Sequence, residues 1–162
     1  MKKSLYFVLA VIVAISGYAI WNNTGEQPQG ETEKVEVVGI DFSDGLVLKE
    51  MAYDKEKDVL SYEVENNTGK NLEYGFVFTL MKLQEDNTLK ETGLTDDMAF
   101  IMMLASVEPG KSVNDEIHFE LIDKTIDPGR YYVIRQYIDG EGNVHIPEVS
   151  FEVSEKGIIP VK

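Results

Sequence analysis

Alternation of apolar and polar residues is clearest between residues 58 and 83. Leu60, Tyr62 and Val64 alternate with polar neighbours, which is the period-two pattern of a half-buried strand. The polar stretch 66–71 follows, and its Asn, Thr and Gly residues tolerate the backbone angles of a turn. Beyond the turn, apolar residues alternate again. The pattern predicts two strands joined by a turn and paired as a hairpin.

Comparable strand patterns recur about every 10 to 15 residues, separated by residues that favour turns. They predict further strands at 35–40, 46–53, 88–92, 113–121, 130–138 and 144–153. In the last of these, Pro147 favours an edge position or a bulge, because proline has no backbone N–H to donate. The segment 94–107 fits a helix capped near Thr95 or a buried strand, and its position between strands favours the strand.

This spacing predicts an all-β fold, an antiparallel sandwich of about seven to nine strands. We expect the sandwich to occupy residues 35–153 and a polar tail to occupy residues 154–162. The chain contains no cysteine, so its stability must come from the core. A body of about 120 residues buries enough surface for this.

The N-terminus, residues 1–21, reads as an export segment. Lys2 and Lys3 precede an uncharged apolar stretch that runs to Trp21. Two alternatives fit: a cleaved signal peptide, or a retained helical membrane anchor, which we favour. In both, the positive charges stay in the cytoplasm and the rest of the chain lies outside. Residues 22–34 carry no aliphatic or aromatic side chain, which predicts a flexible acidic linker.

Beyond residue 21 the chain is strongly acidic. Without Lys2 and Lys3, 13 basic residues stand against 29 acidic ones, which gives a net charge of −16. Such a surface repels nucleic acid, so we expect no nucleic-acid partner. A basic partner remains compatible with this charge, although acidity also serves to keep an exported protein soluble.

Residues 127–133 read Asp-Pro-Gly-Arg-Tyr-Tyr-Val. They match the D-x-G-x-Y-x-C sequence that opens strand F of an immunoglobulin fold, with Val133 in place of the cysteine. Asp127 and Gly129 then belong to the turn before the strand. Tyr131 is expected to hydrogen-bond the upstream backbone and fix the corner between the two sheets.

Three sequences carry a family resemblance: N-N-T-G-K-N-L-E-Y-G-F-V-F-T-L-M-K-L, V-E-P-G-K-S and D-P-G-R-Y-Y-V-I-R. Over residues 47–153 the chain resembles bacterial immunoglobulin-like domains of exported Gram-positive proteins. It is more distantly similar to proteinase-inhibitor domains of the same layout. The resemblance implies an immunoglobulin-like sandwich, and the apolar N-terminal segment, predicted as one hydrophobic helix, would precede it. It implies that Asn66 and Gly69 shape the turn, and it brings no catalytic residue. Unlike many relatives, the chain has no tryptophan at 83–89.

Candidate chemistry is sparse. The two histidines, His118 and His145, lie on separate predicted strands, and His118 is close in sequence to Ser112 and Asp115 without a nucleophile elbow around the serine. Oxygen-bearing residues alternate with glycine over 139–143, as in a calcium loop, but the same residues are typical of a hairpin turn. We therefore predict no catalytic residue, cofactor or metal.

The sequence thus predicts a non-enzymatic, extracytoplasmic binding module, secreted or anchored by its N-terminal segment. We expect an unknown protein or cell-envelope ligand as partner. The candidate contact residues lie in two turns, and they are Asn67, Lys70, Asp139, Glu141 and Asn143. The alternative is a proteinase inhibitor that acts through the same exposed loops, and this rests on shared architecture alone.

Overall fold

Twelve strands and one short 3-10 helix make up the part of the chain that the computed structural model describes, residues 37–100 and 103–161. In chain order the strands are β1 (Leu46–Asp54), β2 (Val59–Asn66), β3 (Leu72–Gly75), β4 (Thr79–Leu83), β5 (Leu89–Glu91), β6 (Leu104–Val107), β7 (Ser112–His118), β8 (Gly129–Ile134), β9 (Tyr137–Asp139), β10 (Val144–His145), β11 (Ser150–Ser154) and β12 (Gly157–Val161). The 3-10 helix spans Phe119–Leu121.

The strands form three antiparallel sheets. Sheet 1 has the order β1-β2-β7, sheet 2 the order β10-β9-β3-β6, and sheet 3 the order β12-β11-β8-β4-β5. The order β10-β9-β3 in sheet 2 corresponds to β11-β8-β4 in sheet 3. The reason is that three segments of the chain, β3–β4, β8–β9 and β10–β11, each contribute one strand to sheet 2 and one to sheet 3. Sheets 2 and 3 together face sheet 1. The predicted all-β sandwich is confirmed.

The strand count differs from the prediction because three predicted strands are each broken in two. The breaks fall at residues 76–78, 135–136 and 146–149. Pro147 lies in the third break, where a residue without a backbone N–H interrupts the ladder of hydrogen bonds. If each broken strand is counted as one, the described residues contain nine strands, which is the upper end of the predicted range.

The predicted hairpin over residues 58–83 is wrong. β2 pairs with β1 and β7 in sheet 1, whereas β3 pairs with β6 and β9 in sheet 2. The turn at 66–71 therefore crosses from one sheet to the other. Alternation fixes which face of a strand is buried, but it carries no information about the neighbouring strand.

Two further predicted strands need correction. Among the described residues of the segment 94–107, which are 94–100 and 103–107, only β6 is a strand, and the exposed fraction of Leu104 within it is 76%, so β6 is not a buried strand. β7 ends at His118, and the 3-10 turn that follows leaves Leu121 exposed and not on the buried face with Ile117.

Both ends of the predicted sandwich also differ from expectation. The expected polar tail contains β12, which pairs with β11 along its whole length through a tight turn at Glu155-Lys156. Of the predicted strand at 35–40, the described residues 37–40 hold only an isolated bridge between Val38 and Thr88. The predicted export segment, 1–21, and linker, 22–34, lie outside the described residues. None of the helical structure described within 37–100 and 103–161 is long and apolar enough to cross a membrane.

One hydrophobic core joins the three sheets. Its fully buried large side chains come from every sheet and include Leu60, Leu72, Leu80, Ile117, Tyr131, Val133, Tyr137 and Phe151. Each buried side chain of this size contributes about 1.5–3 kcal/mol through removal of apolar surface from water. Val133, at the predicted cysteine position, packs in this core with Leu60 of the opposite sheet.

A buried ion pair crosses the sandwich. Arg135, in the break between β8 and β9, contacts the Asp115 carboxylate on β7, and these side chains are only 3% and 11% exposed. The Tyr62 hydroxyl on β2 donates to Asp115 Oδ2 at 2.9 Å. The Arg135 guanidinium also donates to the carbonyl oxygen of Phe76 at 3.1 Å, in the break between β3 and β4, and lies over the Phe78 ring. These contacts offset the cost of burying both charges.

Removing one member of this pair leaves the other buried and unpaired. Arg135→Met is therefore expected to lower the free energy of unfolding by about 3–5 kcal/mol. The double variant Arg135→Met/Asp115→Leu removes both charges and is expected to recover most of that loss. Urea unfolding of the full-length chain at neutral pH measures both. A double variant as unstable as the single one would contradict the role of the charges.

Candidate interaction surface

Asn66 organises one end of the sandwich. Its side chain is fully buried, and its amide nitrogen donates to the carbonyl oxygens of Lys70 and Val107 at 2.8 and 3.0 Å. Its side-chain oxygen accepts from the backbone N–H and the hydroxyl of Thr68. Gly69, three residues after Asn66, has a φ of +76°, which few other residues adopt without strain. One side chain therefore fixes the whole turn 66–71.

Asp139 organises the neighbouring turn between β9 and β10. Its Oδ1 accepts from the backbone N–H groups of Glu141 and Asn143, both at 2.9 Å. Its Oδ2 accepts from Lys70 Nζ at 2.8 Å, and the same ammonium lies 2.8 Å from Glu141 Oε2. The lysine and Asn143 hold the pKa of the Asp139 carboxyl well below its usual range. Lys70 thus joins the two predicted contact loops.

The remaining predicted contact residue, Asn67, lies in the same loop cluster. It is exposed, and its backbone N–H donates to the carbonyl oxygen of Gly45 at 2.7 Å, which ties the turn before β1 to the turn after β2. Four of the five candidates therefore belong to one hydrogen-bonded network, and the fifth flanks it. Sequence alone did not indicate that these two turns meet, because they are about 70 residues apart.

The calcium interpretation of residues 139–143 has a simpler explanation. Both carboxylates of the turn bind the ammonium group of Lys70, and Asp139 Oδ1 accepts from the turn's own backbone. Residues 37–100 and 103–161 hold no group of three or more His, Cys, Asp or Glu side chains arranged to bind a metal ion. Hydrogen bonds from protein groups therefore account for the conformation of the turn.

The D-P-G-R-Y-Y-V segment forms the opposite corner. The Tyr131 hydroxyl donates to the carbonyl oxygen of Asp127 at 2.7 Å, four residues upstream. Gly129 has a φ of +143°, in the region that favours glycine. Tyr132 points to the other face of sheet 3, where its ring stacks on Phe42 with centroids 5.6 Å apart. These contacts are structural.

The outer face of sheet 2 carries exposed apolar side chains that the sequence did not distinguish from core. Ile138 on β9 lies directly opposite Val144 on β10, and their exposed fractions are 43% and 51%. Leu104 on edge strand β6 lies opposite Gly75, which has no side chain to cover it. We call Leu104, Ile138 and Val144 the apolar face. In the sequence, only the tight turn at 139–143 hinted at this exposure, and only for Ile138 and Val144, which flank it.

The outer face of sheet 1 has the opposite character. Most of its outward positions are polar or charged, and they include Glu50, Ser61, Glu63, Asn114 and Glu116, with Val47 and Ala52 on β1 as apolar exceptions. Apolar exposure on a folded domain is common, but several such side chains on one face are typical of an interaction site. The contrast between the two outer faces singles out sheet 2.

The histidines do not assemble a catalytic group. Ser112 and His118 are six residues apart on β7, which separates them by about 20 Å along an extended strand. Asp115 points to the other face and binds Tyr62 and Arg135. His145 lies beside Asp139, at 3.4 Å, as part of the turn.

The lowered pKa of Asp139 predicts a pH dependence of stability. The charged carboxylate stabilises the fold above the pKa of an unfolded aspartate, near pH 4, and this contribution is lost as pH falls towards the lower folded pKa. Asp139→Asn should therefore be less stable than the wild type at pH 7, and the difference should shrink at about pH 3. Urea midpoints at both pH values measure this. Glu152→Gln, an exposed carboxylate on β11, is the control; a constant deficit for Asp139→Asn would refute the linkage.

Comparison with known proteins supports the layout. A comparison with curated proteins found no match. The family model of the bacterial Ig-like domain matches residues 43–154, which run from the turn before β1 to the end of β11. The match covers more than half of the chain and includes the strands that carry the apolar face and both contact turns. The chain belongs to the bacterial Ig-like domain family.

Proposed function

We propose that this chain is a non-enzymatic binding module of the cell envelope that contacts its partner through the apolar face of sheet 2. The proposal rests on the exposure of Leu104, Ile138 and Val144 on one outer face, in contrast to the mainly polar outer face of sheet 1. Membership of the bacterial Ig-like family, whose domains typically serve in interactions, supports the same class of function.

The contact turns are continuous with this face. Asp139 ends β9 directly after Ile138, and β10 begins with Val144 directly after Asn143. Because the turn is fixed by its own hydrogen bonds and by Lys70, it loses little conformational freedom on binding. A partner on the apolar face would therefore meet a preorganised polar rim at 139–143.

The charge of the surface limits the partner. Glu73 lies beside Ile138 in the middle of the face, and Glu141 is exposed at its rim. The chain as a whole has a formal net charge of −14, which disfavours pairing with a second copy. The best fit is a partner with an apolar centre and basic groups around it.

Location outside the cytoplasmic membrane is part of the proposal. It rests on the sequence, in which two lysines precede an uncharged apolar segment and a polar linker separates that segment from the sandwich. The linker would hold the domain away from the bilayer.

Apolar-to-charged substitutions test the binding surface. The wild-type full-length chain is first used to capture a partner from the cell envelope. The double variant Leu104→Glu/Ile138→Glu should then retain about tenfold less of this partner, because a buried unpaired charge opposes binding. Val47→Glu, an exposed apolar position on β1, is the matched control and should retain the partner normally. Ile138→Glu lies directly opposite Glu73 and Val47→Glu lies directly opposite Glu65, so both variants place like charges side by side, and urea unfolding verifies that each variant is folded. Equal retention by both variants would discard the apolar face as the site.

External protease tests the location. In intact cells producing the full-length chain, residues beyond 34 should be degraded by added protease, whereas a cytoplasmic control protein should survive. A chain that stays intact until the cells are lysed would contradict an extracytoplasmic location. The proteinase-inhibitor hypothesis stays a prediction, and titration of the chain against a panel of secreted proteases decides it.

A further inference from the structure

Two lysines lie side by side on the inward-facing side of sheet 3. Lys82 on β4 is directly opposite Lys90 on edge strand β5, and on its other side it is opposite Tyr131 on β8. Residues opposite each other in a sheet share a face. Tyr131 belongs to the core, so both lysines point to the side of the sheet where the core lies, at its open end.

Lys82 is held in a defined position. Its Nζ lies 5.5 Å from the centroid of the Tyr131 ring, a favourable cation–π distance. A Cβ atom at Gly129 would lie 2.6 Å from Lys82 Cε, so the glycine of the corner motif leaves the space that the lysine occupies. The corner motif and Lys82 form one unit.

Neither lysine forms an ion pair with a described residue. Of the seven other lysines within 37–100 and 103–161, Lys49, Lys57, Lys70 and Lys124 each contact a carboxylate, whereas Lys55, Lys111 and Lys156 have no such contact with a described residue. Within 37–100 and 103–161, Lys82 and Lys90 have no such contact, although acidic residues outnumber basic ones by 29 to 15 in the whole chain. Like charges directly opposite each other in a sheet are destabilising, so an anion between them would be stabilising.

The lysines border a groove of about 320 Å³. Gln84, Thr92 and Thr125 also line it and contribute neutral polar groups. Glu91 and Asp127 line it as well. Glu91 follows Lys90 on the strand, so its side chain points to the other face, and the Asp127 carbonyl oxygen accepts from Tyr131.

We propose that this groove binds a doubly charged oxyanion, a phosphate group that is free or carried as a monoester. Two ammonium groups are matched by two negative charges, whereas a single carboxylate would leave one positive charge in excess. The inference is independent of the apolar face, which belongs to another sheet. The competing explanation is that inward lysines near an edge strand prevent strand pairing between molecules, and that role needs no anion.

Calorimetric titration of the full-length chain in neutral detergent, at low ionic strength and about pH 8, separates these explanations. The probes are inorganic phosphate, glycerol phosphate as a monoester and acetate as a singly charged control. We expect saturable binding of the two phosphates, with acetate at least about tenfold weaker. Whichever phosphate binds more tightly identifies whether the group is recognised free or esterified.

Substitution of the lysines assigns the site. Lys82→Gln and Lys90→Gln should each weaken phosphate binding roughly tenfold, and Lys156→Gln, a lysine in the exposed turn before β12, should leave it unchanged. Thermal unfolding verifies that each variant is folded, and Lys90, at the exposed edge, tests the groove even where Lys82→Gln perturbs the corner. Absence of saturable phosphate binding, or equal binding by all variants, would overturn the proposal.

Discussion

The ion pair between Arg135 and Asp115 is the contact on which the arrangement of the sheets depends. Both charges are buried, so each needs the other, and they come from opposite sides of the sandwich. Arg135 lies in one break of the sheet and bonds the carbonyl oxygen of Phe76 in the next break. The same side chain therefore joins the two layers and satisfies a backbone group that the break releases from the strand ladder.

The breaks in turn create the surface proposed for binding. They divide each of three chain passages, so that one half lies in sheet 3 and the other half in sheet 2. In sheet 2 the inward side chains, such as Tyr137, complete the core, while Ile138 faces outward on the same short strand. The turn that follows is fixed by Asp139 and Lys70. A rigid rim beside an exposed apolar face reduces the entropy lost on binding.

Local patterns in the sequence predicted local structure well. Alternation located β1 and β2, and the turn residues located the β9–β10 hairpin, because these signals depend on a few neighbouring residues. Partnership between strands could not be predicted in this way, and the proposed hairpin at 58–83 failed for that reason. Arg135 is charged within an apolar strand pattern, and only the fold shows that Asp115 lies opposite to receive it. Leu104 is exposed although it lies in the segment 94–107, for which the sequence favours a buried strand, because hydrophobicity alone does not reveal which face is covered.

The two proposed sites differ in their chemistry, since one is an apolar face on sheet 2 and the other is a groove on sheet 3 that contains two lysines. The first is expected to set the partner of the domain. Amide hydrogen exchange of the full-length chain, with and without a captured partner, tests directly whether sheet 2 is the binding surface. Slower exchange is predicted in β6, β9 and the turn 139–143, with β1 and β2 unchanged. Protection confined to the strands of sheet 1 would contradict it.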